Sequence, residues 1–319
     1  MATRWRTTWS LLHWLLPAIV LACSSGARAG DGETMSFPSA GTIVKGANGR
    51  YEVREATVKL SGILRVPDGP GPFPAVVLAH GCSGFGYGDL TWLALLRQWG
   101  YATFAVDSFG PRGLPGVCST GAIIPLESVP DVYGALRHLA THPRIDPGRL
   151  ALMGFSHEGI VTSNAATDWA TRLHARAGQP RFRAFVAFYP YYNNRYPERD
   201  TITAPLRIHA GALDDWTPAQ PCVDWVDELK SKGQDAAITV YPGARHSFDR
   251  PTGDVELLAQ AANFALCSPV VPHIAGPYPF KKLFAKCLKL GAHAGRDGEA
   301  TALAIPVVQR ELAELLARD

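Results

Sequence analysis

After its first thirty residues the 319-residue sequence has no apolar run approaching the roughly 20 residues that a bilayer-spanning helix needs, so nothing past residue 30 reads as a membrane span. Charge of one sign is also missing: Lys and Arg number 31, Asp and Glu 28. No segment gathers positive charge into a stripe, which argues against nucleic acid or an anionic membrane surface as partner. Cysteine is scarce, six residues in all, and no two form a C-x-x-C pair, so the sequence gives no support for a metal site. Apolar residues are plentiful at 47%, enough for a substantial core and for one large α/β domain spanning residues 30–319.

The first thirty residues stand apart. Arg4 and Arg6 form a positive start, Leu11 to Ala22 a short apolar stretch, and Ala27-Arg28-Ala29 an A-x-A site with cleavage expected after Ala29. Residues 1–29 therefore read as a secretory signal peptide, and the mature protein as periplasmic or secreted. An uncleaved anchor fits less well, because the apolar stretch is about half a membrane span and is interrupted by His13. Lipid attachment at Cys23 is the weaker alternative, since Leu21 stands where a smaller residue is preferred.

Removal of the leader leaves Cys82, Cys118, Cys222, Cys267 and Cys287. An odd count in an oxidising compartment leaves one thiol unpaired within the chain. Cys267 and Cys287 bracket a Pro-rich stretch and are expected to form a disulfide; the sequence does not pair the other three.

Hydrophobic patterning alternates strands and helices. Tyr51 to Val66 reads as opening antiparallel strands, and Pro74 to His80, Tyr101 to Asp107, Arg149 to Phe155, Phe182 to Tyr189, Leu206 to Gly211 and Ala236 to Tyr241 as six buried strands. Helices are expected at Leu90 to Trp99, Val129 to Ala140, about Glu158 to Leu173, Pro218 to Lys232 and Glu299 to Ala317. This spacing implies βαβ crossovers: an α/β fold with a doubly wound, mostly parallel sheet and helices on both faces. Residues 251–296 look like an insertion before the last helix.

Such sheets place ligands at the carboxyl ends of their strands. The third buried strand runs into Gly154-Phe155-Ser156-His157-Glu158-Gly159, a strand-to-helix turn that thrusts a serine out of the sheet. The pattern departs from G-x-S-x-G in that Glu158 stands where glycine is usual, so its side chain is expected to force a small shift or to point outward. Asp214 follows the fifth strand and His246 the sixth, giving the order Ser, Asp, His, each on a loop just past a strand. Ser156 is thus the candidate nucleophile, His246 its base and Asp214 the acid that orients the histidine, with the adjacent Asp215 a solvated turn or cap residue. Backbone N–H groups of His157 and Cys82 are the candidate oxyanion donors. Arg112 is a candidate for holding a substrate carboxylate, and Trp216 and Phe109 for walling an apolar pocket. The aromatic stretch Phe188 to Tyr196 is a candidate cleft rim.

Taken in order, PFPAVVLAHGCSG, AVDSFGPRG, GFSHEG, GALDDWTP and GARHSFD resemble the dienelactone hydrolase family over most of residues 50–319. The resemblance implies a small α/β-hydrolase with little or no lid, acting without cofactor on small-molecule esters or lactones, with Ser156, Asp214 and His246 at the triad positions. Founding members carry cysteine as nucleophile and an acidic residue where Cys82 stands, so serine here departs from the pattern. The same machinery would serve a thioesterase or acyltransferase, and a non-catalytic exported binding protein on this fold is the reading from another class.

Overall fold

The computed structural model describes residues 32–45, 51–55, 58–120, 122–175, 178–193, 201–267 and 286–317. The expected leader, residues 1–29, lies outside them. The chain opens with β1 (Glu33–Pro38), β2 (Thr42–Lys45) and β3 (Tyr51–Arg54), of which β2 and β3 pair as a separate antiparallel hairpin. β4 (Lys59–Arg65), β5 (Phe73–Ala79), β6 (Ala102–Asp107), β7 (Ile145–Phe155), β8 (Ala184–Phe188), β9 (Leu206–Gly211) and β10 (Ala236–Tyr241) join β1 in an eight-stranded sheet of order β1-β4-β6-β5-β7-β8-β9-β10. β4 runs antiparallel to both β1 and β6, and the remaining pairs are parallel.

Side chains alternate across a strand, so a continuous apolar run supplies both faces at once. In β5, Ala75, Val77 and Ala79 enter one apolar layer while Val76 and Leu78 enter the other. In β7, Leu150 and Leu152 face the first layer and Ala151, Met153 and Phe155 the second. α2 (Pro125–Leu139), α3 (His157–Ala165) and α5 (Gln220–Ser231) cover the first layer, and α1 (Tyr87–Gln98) and α6 (Gly298–Leu315) the second. This is the expected doubly wound arrangement.

Three local differences have physical causes. The helix expected over Glu158 to Leu173 divides into α3 and α4 (Asp168–His174), because the Thr167 hydroxyl accepts from Ala170 N–H and starts a new helix there. α2 begins at Pro125, four residues before its expected start, where Glu127 reaches back to accept from Ile124 N–H at 3.0 Å. β1 was not anticipated: as an edge strand it buries fully only Phe37, so it lacks an apolar run. Within the expected insertion, β11 (Glu256–Asn263) and β12 (Lys289–Ala294) form a second antiparallel hairpin; residues 268–285 between them lie outside the described residues.

Candidate active site

Ser156 holds φ +53° and ψ −112° between β7 and α3, a conformation that costs free energy for any residue with a Cβ and that tertiary structure must enforce. Two glycines make the turn fit. A Cβ at Gly154 would collide with the Glu158 carbonyl, and one at Gly159 would lie 2.6 Å from the Phe188 carbonyl on β8. The close approach of helix to strand therefore falls at 159, one position later than the usual pattern. This corrects the expectation for Glu158, whose side chain does not point outward: it is fully buried, with Oε1 3.3 Å from His157 Nδ1.

The parallel sheet puts the ends of β7, β9 and β10 at one edge, with β8 between β7 and β9, and brings together three residues spread over 90 positions. Ser156 Oγ lies 2.9 Å from His246 Nε2, and His246 Nδ1 lies 2.9 Å from Asp214 Oδ2. Asp214 is fixed further by Trp216 N–H at 2.9 Å and Thr217 N–H at 2.8 Å, both donating to Oδ1. His246 is 1% exposed and Asp214 5%. The imidazole is packed between the Tyr189 and Trp216 rings, each 4.7 Å from it between centroids. Tyr189 itself sits at φ +37°, pinned by its hydroxyl, which donates to Asp249 Oδ1 at 2.8 Å, while Trp92 Nε1–H donates to Oδ2 at 2.7 Å. Burial holds the Asp249 carboxyl above the ordinary carboxylate range despite these donors.

Ser156 opens onto an apolar cavity of about 150 Å³. Its lining includes Cys82 and His157, the candidate oxyanion donors, Trp216, the candidate wall, and Tyr191 from the aromatic stretch. Two candidates lie elsewhere. Arg112 does not face the cavity: it forms a bidentate pair with the buried Asp131, at 2.7 and 3.0 Å, and donates to the Ser108 carbonyl at 2.6 Å, so its guanidinium is occupied in tying a loop to α2. Phe109 is a core aromatic, 2% exposed and packed on the rings of His80 and His157. Tyr192 is likewise packing, stacked on Trp225 at 3.8 Å.

The disulfides are Cys82–Cys118 and Cys267–Cys287, with Cys222 free and buried. The second was expected and the first not, since a sequence separation of 36 gives no local signal. Each closes beside the cavity: Cys82 and Cys118 line it directly, and Phe264 and Leu288 line it next to Cys267 and Cys287. Sequence reasoning missed Thr217, which lies within the GALDDWTP motif, and the contributions of Ala262, Phe264 and Leu288, which lie outside the triad motifs in sequence. Among the described residues no group of three His, Cys, Asp or Glu is placed to hold a metal ion, and no helix is long and apolar enough to cross a membrane.

Comparison with known proteins bears on the fold and the family. A probable 2-oxo-3-(5-oxofuran-2-ylidene)propanoate lactonase of Bradyrhizobium is 24% identical over 170 residues, covering 48% of this chain and 64% of the lactonase. The chain spans less than two thirds of the length of the curated relatives it matches. Among solved structures, a dienelactone hydrolase-like promiscuous phosphotriesterase from metagenomic libraries is 17% identical, with a TM-score of 0.59 over 90% of this chain and 100% of its own. A Thermogutta terrifontis esterase with propionate bound is 15% identical, with a TM-score of 0.56 over 92% of this chain and 98% of its own. These likenesses show the α/β-hydrolase fold. The family model for dienelactone hydrolases matches residues 60–268, so the chain belongs to the dienelactone hydrolase family.

Proposed function

We propose that this protein is an exported serine hydrolase that cleaves carboxylic esters or lactones through an acyl-enzyme on Ser156. The observation that carries the reading is the unbroken chain from Ser156 Oγ through His246 to Asp214, both links 2.9 Å, on a strained strand-to-helix turn. His246 Nε2 takes the Ser156 proton as Oγ attacks the ester carbonyl carbon. Backbone N–H groups of Cys82 and His157 receive the oxyanion, His157 standing at the amino end of α3 where helix N–H groups are unpaired. The bond to the alcohol oxygen then breaks, and His246 returns the proton to the leaving alcohol. A water molecule, deprotonated by His246, attacks the acyl carbon in turn and releases the acid with Ser156 restored. Asp214 keeps the Nδ1 proton on the histidine and offsets the charge of the imidazolium.

Residues 30–319 would act as one exported domain. The two disulfides support that placement, because such bonds persist in oxidising compartments. The test is hydrolysis of short p-nitrophenyl esters by the mature protein and by Ser156→Ala, His246→Ala and Asp214→Asn. Losses of about a thousandfold or more are expected in each, since triad members act as a unit. Ester turnover unchanged in Ser156→Ala would sink the reading.

A further inference from the structure

Asp215, expected as a solvated turn or cap residue, keeps a side chain 41% exposed but also makes a long-range contact. Its Oδ1 accepts from His293 N–H at 2.9 Å, and its Oδ2 lies 2.6 Å from His293 Nδ1 and 3.8 Å from Arg245 Nη1. Partial burial pushes the Asp215 carboxyl up, but the hydrogen bonds from the His293 side chain and backbone N–H, with a smaller charge contribution from His293 and Arg245, outweigh it and hold the carboxyl below the usual carboxylate range. His293 belongs to β12, so this contact clasps the hairpin onto the loop that also carries Asp214. The same loop makes further bonds to the hairpin: Asn263 Nδ2 donates to the Asp215 carbonyl at 2.9 Å, and Trp216 Nε1 to the Ala262 carbonyl at 2.9 Å. Beyond β12, Gly295 N–H donates to the His246 carbonyl at 3.0 Å. Docked in this way, the hairpin turns Ala262, Phe264 and Leu288 toward the cavity, opposite Val117, Ile123 and Ile124.

We propose that the β11–β12 hairpin is a selectivity element, held on the active site by the Asp215–His293 contact, and that its wall receives an uncharged apolar chain of the ester. The inference rests on the serine hydrolase reading and names the substrate class for it. The chemistry of the lining carries the class: none of the described residues around the cavity is Asp, Glu, Lys or Arg, so among them a charged chain would find no partner. A carboxylate-bearing substrate is disfavoured on this side of Ser156 for the same reason. β12 lies beyond the residues matched by the family model, whereas β11 lies within them.

The experiment compares p-nitrophenyl acetate with p-nitrophenyl octanoate in the wild type and in His293→Ala, His293→Asn and Leu288→Trp. His293→Ala is expected to lower the octanoate-to-acetate ratio of kcat/KM by about tenfold, through KM, because the loosened wall no longer binds the chain. His293→Asn restores most of the ratio, since its amide N–H stands where the Nδ1–H stood. Leu288→Trp lowers the ratio by filling the cavity, and it decides the matter alone should His293→Ala fail to fold. Equal losses on both esters, a change confined to kcat, or no change in the ratio would overturn the inference while leaving the hydrolase reading intact. Absence of Ser156-dependent acetate hydrolysis in the wild type would overturn both.

Discussion

Thr217 Oγ1 lies 3.0 Å from His246 Nδ1, between the proposed base and the carboxylate proposed to orient it. It is also 2.9 Å from Asp214 Oδ2 and 3.0 Å from the Tyr189 carbonyl, both acceptors for its one proton. Thr217→Val keeps the shape and deletes the hydroxyl. The expected result is a fall of about tenfold in kcat with KM little changed, roughly 1.4 kcal/mol of lost transition-state stabilisation. Steady-state kinetics on a short ester checks it.

His174 predicts acid sensitivity. It is buried against the Tyr133 ring at 5.2 Å, and neither ring nitrogen has a hydrogen-bond partner among the described residues. Burial, with the Arg137 charge second, pushes its pKa down from 6.5 to about 3. The unfolded chain therefore takes up a proton as pH falls below 6.5 while the folded protein does not until about 3, and stability is lost across that window. His174→Phe should be more stable than wild type by about 2 to 3 kcal/mol more at pH 4.5 than at pH 7.5. Urea midpoints at the two pH values measure the difference.

Asp89 predicts a loss of stability in the opposite direction. Burial raises its carboxyl from 3.8 to about 7, partly opposed by the Gly86 N–H that donates to Oδ2 at 2.7 Å. Between those pH values the unfolded chain has already released its proton and the folded protein has not. Stability on this account is complete below 3.8 and falls as pH rises toward 7, by at most about 4 kcal/mol. Asp89→Asn retains an acceptor for Gly86 N–H and should gain on the wild type as pH rises from 4 to 8. Thermal unfolding across that range gives the answer; a pH-independent difference would count against it.

The Cys82–Cys118 disulfide joins the loop of the proposed oxyanion donor to the opposite segment of the cavity wall, and Val117 N–H reinforces it by donating to the Cys82 carbonyl at 2.7 Å. Replacing both cysteines by serine should cost roughly 3 to 4 kcal/mol of stability. It should also lower kcat on short esters, because Cys82 N–H is then less firmly placed. Denaturant unfolding and kinetics on the double variant read the two effects separately.

The strands and the order of the triad residues were legible because they depend on local chemistry. A strand covered on both faces needs an apolar run, and Val76 to Ala79 supplies one. A serine presented on a strand-to-helix turn needs small neighbours, and Gly154 and Gly159 flank it. The substrate side was less legible. Arg112 carries the right group for a carboxylate, but only packing reveals Asp131 taking both its N–H faces. Phe109 and Trp216 are alike on paper, and their sheet positions send one into the core and the other over His246.

The sequence by itself determined the alternation of strands and helices, the serine on the strand-to-helix turn and the candidates for acid and base, since each follows from residue type and spacing along a few neighbouring positions. Tertiary structure alone decided the partner of Cys82, the burial of Glu158, the place of Thr217 and the docking of the β11–β12 hairpin on Asp215. Those contacts join segments tens of residues apart, and which side chains meet there depends on how the sheet and its insertion pack, a geometry that no local pattern encodes.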